Sequence, residues 1–453
     1  MSTRLRVAVV GASFAGCFAA AAVAAAGGEV IMIERDLLDD TAQPRRGVPQ
    51  GRQPHVLLHR GMIAMRHLLP GLAEDLAAAG AHRLDTGHLP WLSPYGWMPV
   101  TNESYDVYSL SRPLLELLVR RRVLALPDVT LRQGVRVTGL ARTEHLWEVH
   151  LADGETVVVD AVIDASGRGS RLAHWLSDLG YPTPEAEFVE AHLGYASRRF
   201  HQRGGAPLDT GVVLVATPER PRGALALPVE DGRWLVLENG YGDERPGRDP
   251  AEFDQFLTTL PDPALSRLVE RLDADGEVVV HRQTGNQRRP YGRRGAWPQG
   301  LLVVGDALCA FNPIYGQGIS VAACQAELLP EAVMHLSSAR ETRRRQARIT
   351  RVTDFPWAVA TSEDLRFPSS DGGQTLIQRL TGRWTARMSR LAVGGNDACL
   401  RAFADAYHLM GSPARMFGPR VAGPVLASMV RGFPSPAPRP SVLDGLTAEE
   451  VVQ

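Results

Sequence analysis

Three short segments of this sequence combine glycines with an acidic residue, and that combination can hold an anionic ligand. They cover residues 11–16 with the acid at Glu34, residues 164–171, and residues 305–318. In each segment the glycines follow an apolar run typical of a buried strand. Backbone amides at such a turn, together with a helix N-terminus, point at negative charge. The chemistry predicted for them is therefore the binding of phosphates or of a charged, flat cofactor.

The first segment reads Gly-Ala-Ser-Phe-Ala-Gly and lies between two predicted strands, at residues 7–10 and 30–33. Gly11 makes the tight turn, Gly16 lets the next helix pack on the sheet, and Glu34 is placed to bind a ribose hydroxyl. Ser13 replaces the middle glycine, and its hydroxyl can donate to a phosphate. This pattern predicts a dinucleotide site. Its candidate cofactor-binding residues are Gly11, Ser13, Phe14, Ala15, Gly16, Glu34 and Arg35.

The third segment follows a predicted strand over 301–304 and precedes a helix that begins near Ile319. Gly305 turns the backbone, and Asp306 lies just past the strand end. Gly316 and Gly318 allow the backbone to approach a flat or charged group. The candidate cofactor-binding residues here are Gly305, Asp306, Pro313, Gly316, Gly318 and Ile319.

Other polar positions are candidates for the same ligand. Asp164 ends a predicted buried strand, and Arg112 opens a helix from which it can reach a phosphate or a ring edge. Arg46 and Gln50 belong to a loop rich in Gly and Pro that can cover a ligand, or that serves only as a solvated connection.

Composition limits the function classes. All 49 basic residues are arginine, which excludes a P-loop lysine and a Schiff-base lysine. A formal net charge of −1 gives no reason to expect a nucleic-acid partner. The four cysteines show no metal-ligand spacing, so we interpret them as small hydrophobes in a reducing compartment. The apolar run over 7–28 contains a strand, a glycine turn and a helix, so we expect a cytoplasmic protein with no integral membrane segment.

We predict an α/β protein with a Rossmann-like cofactor-binding domain, an inserted antiparallel-sheet substrate domain and a C-terminal helical region. The pattern of apolar and polar residues changes near residue 183, where their alternation indicates an antiparallel sheet with one solvent-exposed face. Within this scheme we expect an irregular aromatic loop at 84–104, a strand at 129–137, a helix at 251–272 and an unpacked tail over the last dozen residues. The predicted domain ranges are 1–86, 105–182 and 284–345 for cofactor binding, 87–104 for a substrate-pocket loop, 183–283 for the substrate domain and 346–453 for the helical region with its Pro-rich tail.

The order and spacing of the three segments resemble the FAD-dependent monooxygenases of the para-hydroxybenzoate hydroxylase type. The loop at 46–58 and the segment at 311–318 look most like a bacterial branch that contains polyketide epoxidases and tailoring hydroxylases. The resemblance covers roughly residues 5 to 345. It differs from the common pattern at residues 165–167, where Ala-Ser-Gly follows Asp164.

The resemblance implies non-covalent FAD as cofactor and NAD(P)H as a transient reductant. It implies that residues 11–16 hold the pyrophosphate, that Val135 lies near the adenine, that Arg112 contacts the cofactor and that Asp306 binds the ribityl or pyrophosphate region. It further implies that Asp164 supports the loop on the FAD side and, in this family, the use of the nicotinamide cofactor. The residues implied to frame the isoalloxazine ring, and so to form the catalytic centre, are Pro313, Gly316 and Gly318.

The function expected from the resemblance is oxygenation of an electron-rich arene or alkene through a C4a-hydroperoxyflavin. The substrate is expected to be a small molecule that is sizeable, largely apolar and polyketide-like or aromatic. A phenol would also need a base, for which His55, His192 and His281 are candidates, although each also fits a structural role. The alternative is an FAD-bound cyclase that performs a [4+2] closure without redox chemistry. A halogenase is disfavoured because that branch depends on a lysine.

Overall fold

A computed structural model describes residues 4–45, 47–102, 104–205 and 208–446. It confirms the predicted fold class: a parallel sheet flanked by helices, a large mostly antiparallel sheet and a C-terminal set of helices. The strands in chain order are β1 (Arg6–Val10), β2 (Glu29–Glu34), β3 (His55–Leu57), β4 (His82–Asp85), β5 (Trp91–Ser93), β6 (Gly96–Trp97), β7 (Asp106–Leu110), β8 (Val129–Gln133), β9 (Val137–Arg142), β10 (Trp147–Leu151), β11 (Thr156–Val159), β12 (Ala161–Asp164), β13 (Glu187–Val189), β14 (Leu193–Gln202), β15 (Val212–Leu214), β16 (Arg222–Val229), β17 (Arg233–Tyr241), β18 (Leu272–Ala274), β19 (Val279–His281), β20 (Asn286–Arg288), β21 (Leu301–Val303) and β22 (Cys309–Ala310).

The α-helices of the same residues alternate with these strands at first and then dominate the C-terminal third. They are α1 (Phe14–Ala25), α2 (His59–Leu68), α3 (Leu72–Ala78), α4 (Arg112–Leu124), α5 (Leu172–Asp178), α6 (Pro250–Thr258), α7 (Ala264–Val269), α8 (Gly318–Ala326), α9 (Leu329–Val333), α10 (Ala339–Arg351), α11 (Asp354–Asp364), α12 (Leu376–Val393), α13 (Asp397–Tyr407) and α14 (Pro419–Arg431).

The parallel sheet has the strand order β21-β12-β1-β2-β8 and is buried on both faces. Its central strand β1 pairs in parallel with β2 and with β12, so Val10 lies beside Ile33 on one side and beside Asp164 on the other. Because β12 also pairs with β21, the carboxyl ends of all these strands lie at one edge. This edge brings the three glycine-containing segments together, and ligands bind at such an edge in open α/β sheets.

The large sheet has the strand order β18-β14-β17-β16-β15-β5-β6, with β19 paired to β14. It confirms the antiparallel sheet predicted for the middle of the chain. The expectation of an irregular segment at 84–104 is wrong in part, because β5 pairs in parallel with β15 and antiparallel with β6. These strands have two or three residues each, too short for an alternating pattern to be visible in the sequence.

Two other predicted elements are divided in the structure. The helix expected at 251–272 is two short helices, α6 and α7, separated by Pro261 and Pro263, and the chain is a strand again from Leu272. The strand expected at 129–137 ends at Gln133, and Gly134 with φ +74° leads into β9. Proline and glycine explain both breaks.

The expectation of an unpacked tail is wrong for the residues up to 446. Leu443 and Leu446 are buried in the core beneath the large sheet, and Arg439 forms an ion pair with Asp262 at 2.8 Å. These two leucines and Arg439 therefore attach the C-terminal segment to the rest of the molecule. The proline content of the segment did not indicate this packing. Residues 447–453 lie outside the described residues.

The four cysteines are unpaired thiols, of which Cys17, Cys309 and Cys399 are buried and Cys324 is half-buried. None of the helices described is both long enough and apolar enough to cross a lipid bilayer.

Candidate active site

Helix α1 begins at the sheet edge where the predicted pyrophosphate site lies. Gly11 has φ +101°, and a Cβ there would lie 2.6 Å from the carbonyl oxygen of Ala165. A Cβ at Gly16 would lie 1.9 Å from the carbonyl oxygen of Gly11. The helix can therefore pack this closely on its strand only with glycine at position 16. Ser13 occupies the N-cap position, but its side chain makes no capping hydrogen bond. The helix N-terminus and the Ser13 hydroxyl are thus available to a phosphate.

Glu34 is buried at the end of β2, and its carboxylate accepts hydrogen bonds from the amides of Ala12 at 2.9 Å and Asp36 at 3.0 Å. Arg45 lies behind it, with Nη1 3.5 Å from Glu34 and Nη2 2.6 Å from Glu116. Burial lowers the pKa of Arg45, but the charges of Glu116 and Glu34 raise that pKa overall, so the guanidinium stays charged. This pairing holds the Glu34 carboxylate at the edge of the cavity.

Asp164 ties its own loop together instead of facing the cavity. The carboxylate accepts from the Ser166 amide at 3.0 Å, from the Ser166 hydroxyl at 2.6 Å and from the Ser170 hydroxyl at 2.5 Å. Burial raises the pKa of Asp164, and these hydrogen bonds oppose that shift. The next residues along the loop do line the cavity, and among them Arg168 donates to the carbonyl oxygen of Phe311 at 3.2 Å.

Arg112, His55 and Asp306 are polar residues on the cavity wall. Arg112 is buried and its Nη1 lies 3.1 Å from His55 Nε2. Its Nε lies 3.9 Å from the Glu116 carboxylate and has no hydrogen-bond partner. Its guanidinium also stacks over Phe14 at 4.9 Å from the ring centre. Burial raises the pKa of Asp306, while the charges of Arg168 and Arg112 lower it. A buried guanidinium with a free N–H is matched to an acceptor that a ligand would bring.

The segment 311–318 is held by a carboxylate that sequence reasoning missed. Asp364, at the end of α11, accepts from Tyr315 Oη at 2.6 Å and from Asn286 Nδ2 at 2.6 Å. Asn312 Nδ2 lies 3.1 Å from both of its oxygens. Burial raises the pKa of Asp364 to about 6, although these donors oppose the rise. Nothing in the local sequence marks this aspartate, because its partners are 49 to 78 positions away.

After this turn, Gly316 adopts φ +64° and α8 begins at Gly318. The side chain of Gln317 at the helix N-cap has an unpartnered Oε1. Pro313, Gly316, Gly318 and Ile319 all line the cavity. The predicted centre is therefore a turn and a helix N-terminus, with the amides of the first helical turn directed at the cavity.

One continuous cavity of about 1320 Å³ joins these parts. Single small-molecule sites usually occupy about 300–1,000 Å³, so this one has room for a cofactor and a second ligand. Its far half is apolar and lies between the large sheet and the C-terminal helices. The residues of that half include Trp91, Met98, Leu225, Leu237, Tyr241, Phe367, Met388, Phe403, Tyr407 and Phe417.

Most predicted cofactor-binding residues line this cavity, including Phe14, Ala15, Arg35, Gln50, Val135 and Gly305. Gly16 and Asp164 lie behind the lining and act on the backbone that forms it. Arg46 lies outside the described residues. Its neighbour Arg45, which no sequence pattern indicated, is a half-buried arginine that lies beside Glu34.

Of the three candidate histidines, His55 and His281 line the cavity and His192 does not. His192 lies away from the cavity and pairs with Asp371. His55 lines the cavity, but burial and the charge of Arg112 lower its pKa to about 3. Burial also lowers the pKa of His281, which stacks on Tyr195. His55 Nδ1 lies 2.8 Å from the Gln53 carbonyl oxygen, which assigns the proton to Nδ1 and leaves Nε2 to accept from Arg112.

Comparison with known proteins now adds to this geometry. No protein-family model matches the chain. Protein Rv3254 of Mycobacterium tuberculosis is 30% identical over 387 residues, covering 79% of this chain and 80% of its own length. The FAD-dependent monooxygenase esdpE of Penicillium shearii is 27% identical over 362 residues, covering 75% of this chain and 70% of its own length. The chain belongs to the FAD-dependent monooxygenase family. It is therefore a flavin-dependent enzyme.

Solved structures show the same fold. The flavin-dependent brominase Bmp2, as a triple mutant, has a TM-score of 0.64 at 16% identity, covering 91% of this chain and 96% of its own. The anhydrotetracycline hydroxylase OxyS of Streptomyces rimosus has a TM-score of 0.60 at 18% identity, covering 90% and 77%. The Diels-Alderase PyrE3 has a TM-score of 0.59 at 16% identity, covering 90% and 81%. Their differing reactions mean that this fold does not decide the chemistry.

The residues of this flavoenzyme fit FAD on three observations. The first turn of helix α1 faces the cavity and has no side-chain cap. Arg112 has a buried N–H without a hydrogen-bond partner. Position 11 must be glycine, because a Cβ there would clash with the Ala165 carbonyl oxygen. When bound, FAD supplies the redox chemistry. The chain supplies its binding, its orientation and the shape of the space beside it.

Proposed function

We propose that this flavoenzyme uses NAD(P)H and O2 to hydroxylate or epoxidise a largely apolar, natural-product-like substrate. One observation carries the proposal: the cofactor end of the cavity opens without a break into an apolar chamber beneath the large sheet. Apolar side chains form most of that lining, with a few polar ones such as Asn239, Glu363 and Arg366, so a strongly polar substrate would leave most of its groups unpaired. The descriptions of esdpE and of OxyS, as a monooxygenase and a hydroxylase, support the same reaction class.

In this proposal the N-terminal amides of α8, at Gly318 and Ile319, would stabilise negative charge on a bound flavin ring. The loop anchored by Asp364 fixes that helix relative to the chamber. The aromatic and aliphatic lining excludes water and places the substrate carbon near the reactive face. The cavity-lining histidines, His55 and His281, have lowered pKa values and are poor bases at neutral pH. An alkene or an already electron-rich ring, which needs no base, fits this wall best.

We also propose a cytoplasmic location, because four unpaired thiols suit a reducing compartment.

The direct test is an absorbance spectrum of the purified protein, followed in air with each reductant, with and without a polyene or phenolic polyketide. We expect flavin bands that bleach with reductant and bleach faster when substrate is present. The product should gain one oxygen atom, which ¹⁸O₂ labelling and mass spectrometry detect. A protein that binds no flavin after incubation with FAD would overturn the proposal.

The second candidate is an FAD-bound cyclase that closes a ring without redox change. Two observations favour it: the Asp164 carboxylate is fully engaged within its own loop, and PyrE3, a Diels-Alderase, shares the fold. Substrate that disappears under anaerobic conditions, with no NAD(P)H consumed and no mass change, would select the cyclase. Substrate loss that depends on O2 would exclude it.

A further inference from the structure

Helices α12 and α14 carry large apolar side chains on the outside of the molecule. On α12, Leu376, Ile377 and Leu380 are 54–76% exposed, and on α14, Leu426, Met429 and Val430 are 55–90% exposed. We call this surface, formed by the outward faces of α12 and α14, the helical cap. Large apolar side chains exposed on two helices that contact each other mark an interaction site.

The helical cap is also strongly basic. Helix α12 contains Arg379, Arg383, Arg387 and Arg390, and α14 contains Arg420 and Arg431, while neither helix has an acidic residue. Among the described residues, no ion pair or side-chain hydrogen bond engages Arg379, Arg383, Arg420 or Arg431, all of which are exposed. Many arginines elsewhere are paired with carboxylates, as Arg4 is with Asp128. The chain as a whole is close to neutral, so this local charge is a property of the cap.

The two helices form one surface at the end of the cavity. Arg387 Nη1 on α12 donates to Ser428 Oγ on α14 at 3.3 Å, and Trp384 Nε1 donates to the Met416 carbonyl oxygen at 2.9 Å. The inner face of α12 lines the cavity with Thr381, Thr385 and Met388. Ile377 and Phe417 both line the cavity and are exposed, so the apolar lining reaches the outer surface at the cap.

We propose that the helical cap docks this enzyme on the surface of an anionic lipid bilayer, so that membrane-dissolved apolar substrate enters the cavity beside α12. Exposed leucines and valines among unpaired arginines are the composition of a helix that lies in a lipid interface. The arginines select a negatively charged surface. A second copy of this chain is a poorer occupant, because a two-fold contact would set the same unpaired arginines against each other. The delivery of substrate rests on the proposed function, but the docking itself does not.

The experiment is flotation of the purified holoprotein with vesicles of phosphatidylcholine alone or of phosphatidylcholine mixed with phosphatidylglycerol. We expect flotation only with the anionic vesicles, and less of it as NaCl is raised. Two arginines at such a surface increase partitioning roughly 30-fold. The double variant R379Q/R420Q should therefore lower the partition coefficient by about tenfold or more, and V430S should lower it further.

Matched controls keep the result interpretable. R294Q/R340Q removes two exposed arginines that are equally unpaired but lie outside the cap, and V158S removes an exposed valine on β11. Both controls should float like the wild type. The proposal is overturned if the wild type does not float with anionic vesicles, if the controls lose binding as the cap variants do, or if sedimentation shows a dimer that buries the cap. The flavin spectrum is recorded separately, so failure of docking and failure of the oxygenase reaction give different results.

Discussion

The carboxylate of Asp364 accepts a hydrogen bond from the hydroxyl of Tyr315 at 2.6 Å, which joins the last turn of α11 to the loop before α8. Asn286 and Asn312 donate to the same carboxylate, so one side chain holds a strand and the loop in one arrangement. Removing a buried acceptor from several donors costs roughly 1–3 kcal/mol for each donor left unpaired.

Replacing Asp364 with alanine leaves three donors unpaired and should therefore lower the free energy of unfolding by about 3 kcal/mol or more. It should also weaken FAD binding, because the loop loses its fixed position. Asp364→Asn should do less, since it keeps the volume and one acceptor. Thermal unfolding and flavin fluorescence titration measure the two effects. Asp371→Ala, at an exposed aspartate nearby on the chain, is the control and should change neither quantity.

Gly11→Ala should abolish tight FAD binding and destabilise the fold. The added Cβ would lie 2.6 Å from a carbonyl oxygen, and φ is +101°, so neither the backbone nor its neighbour can relax easily. Gly27→Ala is a matched control, because Gly27 also has a positive φ of +80° but has no atom within 4 Å of the added Cβ. Equal loss of flavin in both variants would contradict the close approach inferred here. Absorbance at the flavin band after gel filtration provides the comparison.

Arg112→Met should lower FAD affinity by roughly tenfold or more, because hydrogen bonds to charged groups contribute about 1.5–3 kcal/mol. The variant keeps much of the apolar contact with Phe14 and removes the unpartnered N–H. Arg121→Met, on the same helix but exposed and paired with Asp40, should bind FAD like the wild type. Isothermal titration with FAD checks both. Unchanged affinity in Arg112→Met would place the cofactor away from this wall.

Glu238 on β17 should make stability fall as pH rises. Both of its oxygens are buried without partners, and burial raises its pKa to about 10. The folded state therefore keeps a proton that the unfolded chain loses above its ordinary pKa of 4.5. The contribution of Glu238 to the free energy of unfolding is greatest below pH 4.5 and declines from there up to about pH 10. The loss by pH 7 is on the order of 3 kcal/mol.

Glu238→Gln removes the titrating group and should flatten this decline. The free energy of unfolding of the variant, relative to that of the wild type, should therefore increase as pH is raised from 5 to 9. Urea unfolding at a series of pH values measures the difference. Glu277→Gln, at an exposed position, should follow the wild-type slope. Parallel slopes for wild type and Glu238→Gln would mean that the Glu238 carboxyl ionises at its ordinary pKa.

The sequence alone determined the cofactor edge of this enzyme. Gly11, Gly16 and Glu34 act within one βαβ unit, where short-range spacing dictates geometry, and the strand at 301–304 with its glycine turn is equally local. The parallel sheet and the antiparallel middle region were also predictable, since continuous apolar runs indicate strands buried on both faces and alternating runs indicate strands with one buried face.

Tertiary structure decided the rest. Asp364 reaches its partners across 49 to 78 positions, and nothing near it in sequence indicates a ligand to that loop. Arg45 lies beside Glu34 because of the path of its loop, which no local pattern in the sequence indicates. Strands as short as β5 and β6 exist because a neighbouring edge is there to pair with them. The apolar chamber likewise arises only where the large sheet meets α12 and α13, because a cavity is a relation between surfaces that are distant along the chain.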